Sequence, residues 1–337
     1  MVIGATGQIG RPAVAALARD GWQVTAASQS GGRAEEWPGE VRAVRLDRAD
    51  GAALAEVVGE GCDVLVDIVA YDASHARQLT SLADRIGSAV VVSSVSVYED
   101  ARGCGFDTQD RPDGFPVYPV PLPETQRTVA PGERTYSTRK AALERELLAA
   151  GERLPATLLR AGAVHGPHSR VPRELYFVKR NLDRRGRRVL AYGGASRFHP
   201  ASAHNLAELI RLAAARPGSR VLNACDAEAP TVAGIGAAID AVMGAENETV
   251  LVDGPPPAPG VGDSPWAVPH SVVADMTAAE RELGYRPVVG YAESLPETVA
   301  GIERRLAGRD WRAAYPKVAQ AYGDLFDYAA EDAWPGA

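Results

Sequence analysis

Cysteine is scarce in this chain of 337 residues, and Cys62, Cys104 and Cys225 are the only three. So few thiols, so far apart, make neither a disulfide framework nor a zinc cluster, and a reducing, cytoplasmic setting is expected. No apolar run reaches the ~18 residues of a membrane span, and the N-terminus opens into a glycine-rich motif without the apolar stretch of a secretory signal. A soluble, unprocessed chain with no membrane partner is therefore expected. Positive charge is not in excess either, since 36 basic residues against 43 acidic ones leave a formal charge of -7. With no positive field to collect phosphate backbones, nucleic-acid binding is not expected. Internal repeats and low-complexity segments are also missing.

What is present is an ordinary globular composition, 46% hydrophobic and 23% charged, long enough for about two domains at roughly 100 to 200 residues each. The first half alternates short β-branched runs with longer helical patterns, which predicts a parallel sheet wrapped by helices. Strands are expected at 1–3, 22–27, 41–46, 63–70, 89–93 and 157–160, with a late one at 220–224. Helices are expected at 10–19, stopped by Asp20-Gly21, and at 136–150, where YSTRKAALERELLAA is rich in good helix formers and ends at Gly151. Between them, 107–132 carries six prolines and little periodicity, which predicts a long ordered loop of the kind used as a lid. The final 27 residues hold six of the 21 aromatics. They are expected to pack onto the body or to wall a substrate pocket.

Gly4-Ala5-Thr6-Gly7-Gln8-Ile9-Gly10 stands where the first strand hands over to the first helix. Glycines there allow a tight turn, close approach of a pyrophosphate and close packing of helix on strand, while the helix N-terminus offers free N–H groups to phosphate. Gly4, Thr6, Gly7, Gln8, Ile9 and Gly10 are thus candidate coenzyme contacts. Only three residues precede Gly4, so the first strand is expected to be stunted, as a late start or a shortened chain would make it. About 20 residues on, where such folds place an acid for the adenosine ribose, stands Ser28. The missing carboxylate, with Ser28, Ser30 and Arg33 able to meet a 2′-phosphate, favours NADP(H) over NAD. Arg33 could equally be a solvated loop arginine. Asp47 either accepts from the adenine amino group or caps the following helix.

Tyr136 and Lys140 are four apart on the predicted helix and share a face. A phenol has pKa ≈ 10, and bringing it near 7 takes roughly 4 kcal/mol of preferential stabilisation of the phenolate, from the ammonium, the nicotinamide charge and hydrogen bonding together. Tuned so, Tyr136 can move the proton of a hydroxyl or carbonyl while hydride moves. Ser94 ends a strand, where parallel sheets gather ligands, and can hydrogen-bond the reacting oxygen.

These pieces together resemble the extended short-chain dehydrogenase/reductase family, the NAD-dependent epimerase/dehydratases. The matching segments are GATGQIG (4–10), DVLVDIVA (63–70), VVVSSVSVY (90–98), YSTRK (136–140), LRAGAVHGP (159–167) and ELGYRP (282–287). The resemblance implies an α/β fold, a doubly wound parallel (Rossmann) sheet over 1–165, with a smaller substrate-binding lobe over 166–337 from which about 218–228 returns a strand to the sheet. It implies that Tyr136 is the general acid/base, Lys140 its partner and holder of the nicotinamide ribose, and Ser94 the ligand of the substrate oxygen. Ser94 is preferred to Ser93 because it lies four residues before Tyr98. Further coenzyme contacts are implied at Asp47, at Ile68, Val69 and Ala70, and in the 161–165 loop at Ala161 and Val164. Ser96 and His165 are expected to join Ser94 and Tyr136 at the substrate. A small-molecule substrate, for instance a nucleotide sugar, and a homodimer built on the Tyr136 helix complete the expectation.

The chain departs from the family at Gln8 in place of an aromatic, Ala161 in place of proline, and Glu99 in place of glycine. No acid follows Ser94 as in nucleotide-sugar 4,6-dehydratases, so dehydration is the least expected chemistry. His165 and His168 have no further ligand nearby, and no metal is expected. His199 and His204 stand either near the substrate or in ordinary structural roles, and Arg184, Arg185, Arg187 and Arg188 form either a solvated face or an anion contact. The reading is an NAD(P)-dependent reductase or epimerase acting at a secondary alcohol or ketone. The rival is a non-catalytic NAD(P) sensor or RNA-associated protein on the same fold, suggested by the DRAD stretch at 47–50 and opposed by the intact Ser94, Tyr136 and Lys140.

Overall fold

The computed structural model describes residues 1–336 and divides them into two compact units. The first comprises Met1–Gly162, Ala203–Cys225 and Ala274–Val288. The second comprises Ala163–Ser202, Asp226–Val273 and, of the described residues, 289–336. The division falls at 162/163 rather than 165/166. The returning chain is longer than 218–228, because the helix at 203–215 and the segment at 274–288 travel with the late strand.

Seven parallel strands make the sheet of the first unit: β1 (Val2–Ile3), β2 (Thr25–Ser28), β3 (Arg42–Arg45), β4 (Cys62–Asp67), β5 (Ile86–Ser94), β6 (Ala156–Ala161) and, late in the chain, β10 (Arg220–Ala224). Their order is β10-β6-β5-β4-β1-β2-β3. The order reverses between β1 and β4, the point of a doubly wound sheet where ligands collect. The runs at 64–66 and 88–93 are buried throughout, as strands covered on both faces must be. Helices α1 (Gly10–Arg19) and α6 (Ala203–Ala215) pack together, as do α3 (Ala73–Ser81) and α4 (Tyr136–Ala149), with α2 (Gly51–Val58) completing the first series. A core of Ile3, Leu46, Leu54, Leu65, Leu79, Val91, Leu143 and Leu158 lies against the strands.

Several strand ends differ from expectation: β5 starts three residues early, at Ile86, and other ends shift by a residue or more. β2 starts at Thr25 rather than Trp22, because the Trp22 amide still closes the end of α1 by donating to Leu17 O at 3.1 Å. β4 stops at Asp67 rather than Ala70, because the Asp67 carboxylate takes the amides of Val69 (3.1 Å) and Ala70 (2.8 Å) and turns the chain out of the sheet. α4 begins at a Thr135 cap whose hydroxyl accepts from Thr138 N at 3.2 Å. The proline-rich stretch before it is ordered: Asp107 accepts from Thr135 Oγ1 (2.6 Å) and Ser137 Oγ (3.0 Å), fastening the loop to the helix start.

The second unit contains the short parallel pairs β7 (Ala163–His165) with β9 (Pro200–Ser202) and β8 (Arg187–Leu190) with β11 (Glu248–Leu251). Around them stand α5 (Leu175–Leu182), α7 (Val232–Met243) and α9 (Tyr291–Leu306), with α8 (Thr277–Leu283) belonging to the first unit. The aromatic C-terminal segment forms α10 (Trp311–Ala314), α11 (Pro316–Tyr322) and α12 (Tyr328–Ala333). It is packed down, with Trp311 and Tyr315 buried. Among the described residues no helix is long and apolar enough to cross a membrane.

Candidate active site

The glycine turn is built as tightly as its composition suggests. Gly4 has φ +84°, a conformation that L side chains avoid. The amides of Gly4 and Ala5 both donate to Ala27 O, at 3.0 and 3.1 Å. A Cβ on Gly10 would lie 2.2 Å from Gly4 O, so only glycine lets the first turn of α1 close over the strand end. The turn therefore presents a helix N-terminus at the mouth of the sheet, in the arrangement that suits a pyrophosphate. Gln8 adds a buried Nε2 with no hydrogen-bond partner, a donor that a bound group would satisfy. Thr6 is half-buried and gives its carbonyl to Arg11 Nε at 3.2 Å, and Ile9 is buried. These residues fit a dinucleotide.

The adenosine end differs from expectation. Ser28 is buried, and its Oγ accepts from Gly31 N at 3.1 Å and lies 3.3 Å from Ser30 Oγ. Arg33, expected to meet a 2′-phosphate, turns into its own loop instead. Its guanidinium donates to the carbonyls of Trp37 (3.3 Å), Pro38 (2.6 Å) and Val41, so its donors are taken up by that irregular stretch. Asp47 is exposed and accepts from Ala49 N at 3.1 Å, while the cap of α2 is Asp50.

Ser93 and Ser94 are separated by the alternation of β5. Ser93 Oγ donates to Glu144 Oε1 at 2.5 Å, inside a buried network where Glu144 also pairs with Arg160 at 2.7 Å. Ser94 has the other environment: its Oγ accepts from Ser96 N at 3.1 Å and its side chain interacts with the Tyr136 phenol. Ser96 Oγ is buried without a partner. The Tyr136 residue is 44% exposed, yet burial around its hydroxyl pushes the phenol above its ordinary pKa, with Ser94 opposing and Tyr71 adding to the rise. This reverses the expected lowering in the protein alone. Lys140 is committed elsewhere: its Nζ donates to Ala70 O (2.6 Å) and Val92 O (2.9 Å) and stands 5.9 Å from the centre of the tyrosine ring. Desolvation takes the Lys140 ammonium down to about 8, with Asp67 and Glu144 opposing.

Asp67 was not singled out from the sequence, although a carboxylate in the otherwise apolar run DVLVDIVA is a signal. It is fully buried, pairs with Arg48 Nε at 2.6 Å, and shapes the Ile68–Ala70 strand end whose last carbonyl holds Lys140. Val69 is 45% exposed there, and its Cγ1 would lie 2.7 Å from a Cβ on Gly4. That strand end therefore stands against the glycine turn. Ala161 is buried and pairs with Ser94 across the sheet. The first unit thus brings together the turn, Ile68–Ala70, Ser94, Ser96, Tyr136, Lys140 and Ala161 at the carboxyl ends of its central strands.

Val164 and His165 belong to the second unit, on β7. His165, expected at the substrate, is buried there. Its Nε2 lies 2.7 Å from Asp226 Oδ2 and its ring packs on Tyr291, since an imidazole this deep needs a polar partner. His199 Nε2 pairs with Asp226 O at 3.0 Å. The arginine cluster is largely neutralised internally: Arg188 pairs with Asp240 at 2.8 Å, Arg187 lies 3.9 Å from Glu248, and Arg185 pairs with Asp332. Among the described residues no group of three side chains could hold a metal ion.

Residues 1–225 match the NAD dependent epimerase/dehydratase family. The chain belongs to that family. It is therefore an NAD-dependent enzyme of the extended short-chain dehydrogenase/reductase type. Solved structures share its fold at low identity. The UDP-glucose 4-epimerase of Thermotoga maritima, with UDP-glucose, superposes with a TM-score of 0.66 at 18% identity over 90% of this chain and 98% of its own. The UDP-N-acetylglucosamine 4-epimerase of Bacillus cereus gives 0.65 at 16% over 89% and 98%. MoeE5, in complex with UDP-glucose and NAD, gives 0.62 at 22% over 90% and 98%. No curated protein sequence matches the chain.

Proposed function

We propose that this enzyme oxidises and reduces a secondary alcohol or ketone carbon of a nucleotide sugar, as an epimerase or reductase, with Tyr136 as general acid/base. The observation that carries the reading is the placing of Ser94 at the end of β5 and Tyr136 at the start of α4, with Lys140 Nζ anchored on Ala70 O and Val92 O at the neighbouring strand ends. Ser94 supplies a hydrogen bond to the reacting oxygen, stabilising it as charge develops. Tyr136 Oη then takes or returns the hydroxyl proton. Lys140 stays fixed by two carbonyls and supplies the positive charge, while the glycine turn and Gln8 hold the pyrophosphate. The nicotinamide, when bound, takes or gives the hydride, and its positive charge in the oxidised form adds to the lowering of the phenol that the protein alone does not achieve.

With Arg33 committed to its own loop, we propose NAD(H) as the coenzyme rather than the NADP(H) that the missing acid near Ser28 favours. The similarity to nucleotide-sugar epimerases, together with the absence of an acid after Ser94, supports epimerisation over dehydration. A homodimer through the α3 and α4 faces completes the proposal.

The test is a fluorescence titration with NADH and NADPH, followed by UDP-glucose and UDP-N-acetylglucosamine with the sugar followed by NMR. NADH should bind the more tightly, and inversion at one carbon should proceed without net change in coenzyme absorbance. Stoichiometric consumption of the reduced coenzyme would make the enzyme a reductase. Failure to bind either coenzyme would end the reading, and tighter NADPH binding would reverse the coenzyme assignment.

A further inference from the structure

The second unit contains a cleft of about 240 Å³ between the loop at 166–172 and α9. That is smaller than the roughly 300–1,000 Å³ of drug-sized sites, so its occupant would be compact. Its wall includes His168, Ser169, Arg304, Arg305 and Tyr315, and neither aspartate nor glutamate lines it. The buried arginines Arg180 and Arg188 of the same unit are matched to acids, Arg180 to Glu331 at 2.7 Å and Arg188 to Asp240 at 2.8 Å. Arg304 and Arg305 have no ion pair among the described residues.

These two cations differ in how they are held. Arg305 is pre-organised: its Nε donates to Ala314 O at 2.8 Å and its guanidinium lies 4.8 Å over the Tyr315 ring. That leaves its terminal amines free of any carboxylate. Arg304 is exposed, and among the described residues its side chain makes no hydrogen bond, so it can swing to a ligand. Ser169 Oγ accepts from Val171 N at 3.3 Å, which leaves its O–H to donate. His168 is held at φ +67°, a conformation that costs energy for a side chain with a Cβ.

From this we propose that the cleft binds a compact phosphoryl anion, held by Arg304, Arg305 and Ser169. Planar guanidinium groups that can bond in pairs to one anion suit tetrahedral oxyanions, and charge-assisted bonds of this kind are the stronger ones. The inference uses only residues of the second unit and does not depend on the chemistry proposed at Tyr136.

The test is isothermal titration of the full chain with sodium pyrophosphate and, separately, glycerol 3-phosphate, each at constant ionic strength against a chloride control. Saturable binding is expected, weakened roughly tenfold by Arg304→Gln and by Ser169→Ala, and lost in Arg304→Glu. NADH binding should be unchanged in all three variants, which separates this outcome from failure of the coenzyme reading. Tighter binding of pyrophosphate assigns the site to a diphosphate, and tighter binding of glycerol 3-phosphate to a monoester. Heat no greater than the chloride control, or affinity unaltered by the substitutions, would overturn the proposal. Because Arg304 is exposed, its two variants should melt as the wild type does, so their change in affinity reports on the site.

Discussion

The two units use their buried charges differently. In the first, Asp67, Lys140, Glu144 and Arg160 lie under or beside the ends of β4, β5 and β6, each bonded to a backbone or side-chain group of those strand ends. In the second, Arg180 with Glu331 and Arg188 with Asp240 join helices and strands far apart in sequence. On the proposed function, charge at the sheet mouth prepares a reaction, whereas in the second unit Arg180 fastens α12 and Arg188 ties β8 to α7. Substitutions in the first should change turnover more than stability, and those in the second the reverse.

Tyr136→Phe is the sharpest way to break that contrast. It removes only the hydroxyl of a half-exposed ring, so turnover should fall about 10²–10⁴-fold, while thermal melting and NADH affinity stay near wild type. A large loss of stability would show that the phenol is structural. Glu331→Gln should behave the other way. It leaves Arg180 buried beside a neutral amide, and breaking a buried pair costs about 3–5 kcal/mol. Denaturant melts should show that loss, with turnover per folded molecule preserved.

Gly10→Ala tests the point where the first unit joins stability to coenzyme binding. A methyl 2.2 Å from Gly4 O forces the turn open, at a cost of roughly 1–3 kcal/mol, and NADH affinity should fall with it. Wild-type affinity in this variant would mean that the turn does not hold the pyrophosphate. The smallest effect concerns Asp100, which pins the proline-rich loop. Burial opposes ionisation there, but the amides of Val117 and Cys104 and the Arg102 guanidinium outweigh it and hold the carboxyl at about 2. A carboxyl lowered in the folded state adds stability above its ordinary value near 4, and that gain is lost as pH falls towards 2. The stability difference between wild type and Asp100→Asn should therefore narrow between pH 5 and pH 2, as read by denaturant melts at each pH. A constant difference would mean that the loop is held by packing.

Much of the first unit was legible in the chain because its signals are local. α1 and β10 fall on the residues that caps and β-branched runs indicate, and α4 misses by one residue at its end. The Asp67 carboxylate was missed because its meaning comes from Arg48, 19 positions back, and from Lys140, 73 positions on. Arg33 and His165 were read by their chemistry as ligand contacts, yet both are consumed by partners that periodicity does not reveal: the carbonyls at 37–41 and the carboxylate of Asp226.

Sequence alone determined the alternation of strand and helix, the glycine turn, and the placing of Tyr136 and Lys140 one helical turn apart, because each depends on φ/ψ preferences and spacing within a few residues. Tertiary structure decided that Ser93 serves Glu144 while Ser94 meets Tyr136, that Lys140 is held by Ala70 and Val92, and that Arg304 and Arg305 stand without acids. Those outcomes depend on which distant backbone and side-chain groups burial brings within hydrogen-bonding distance, and that is set by packing.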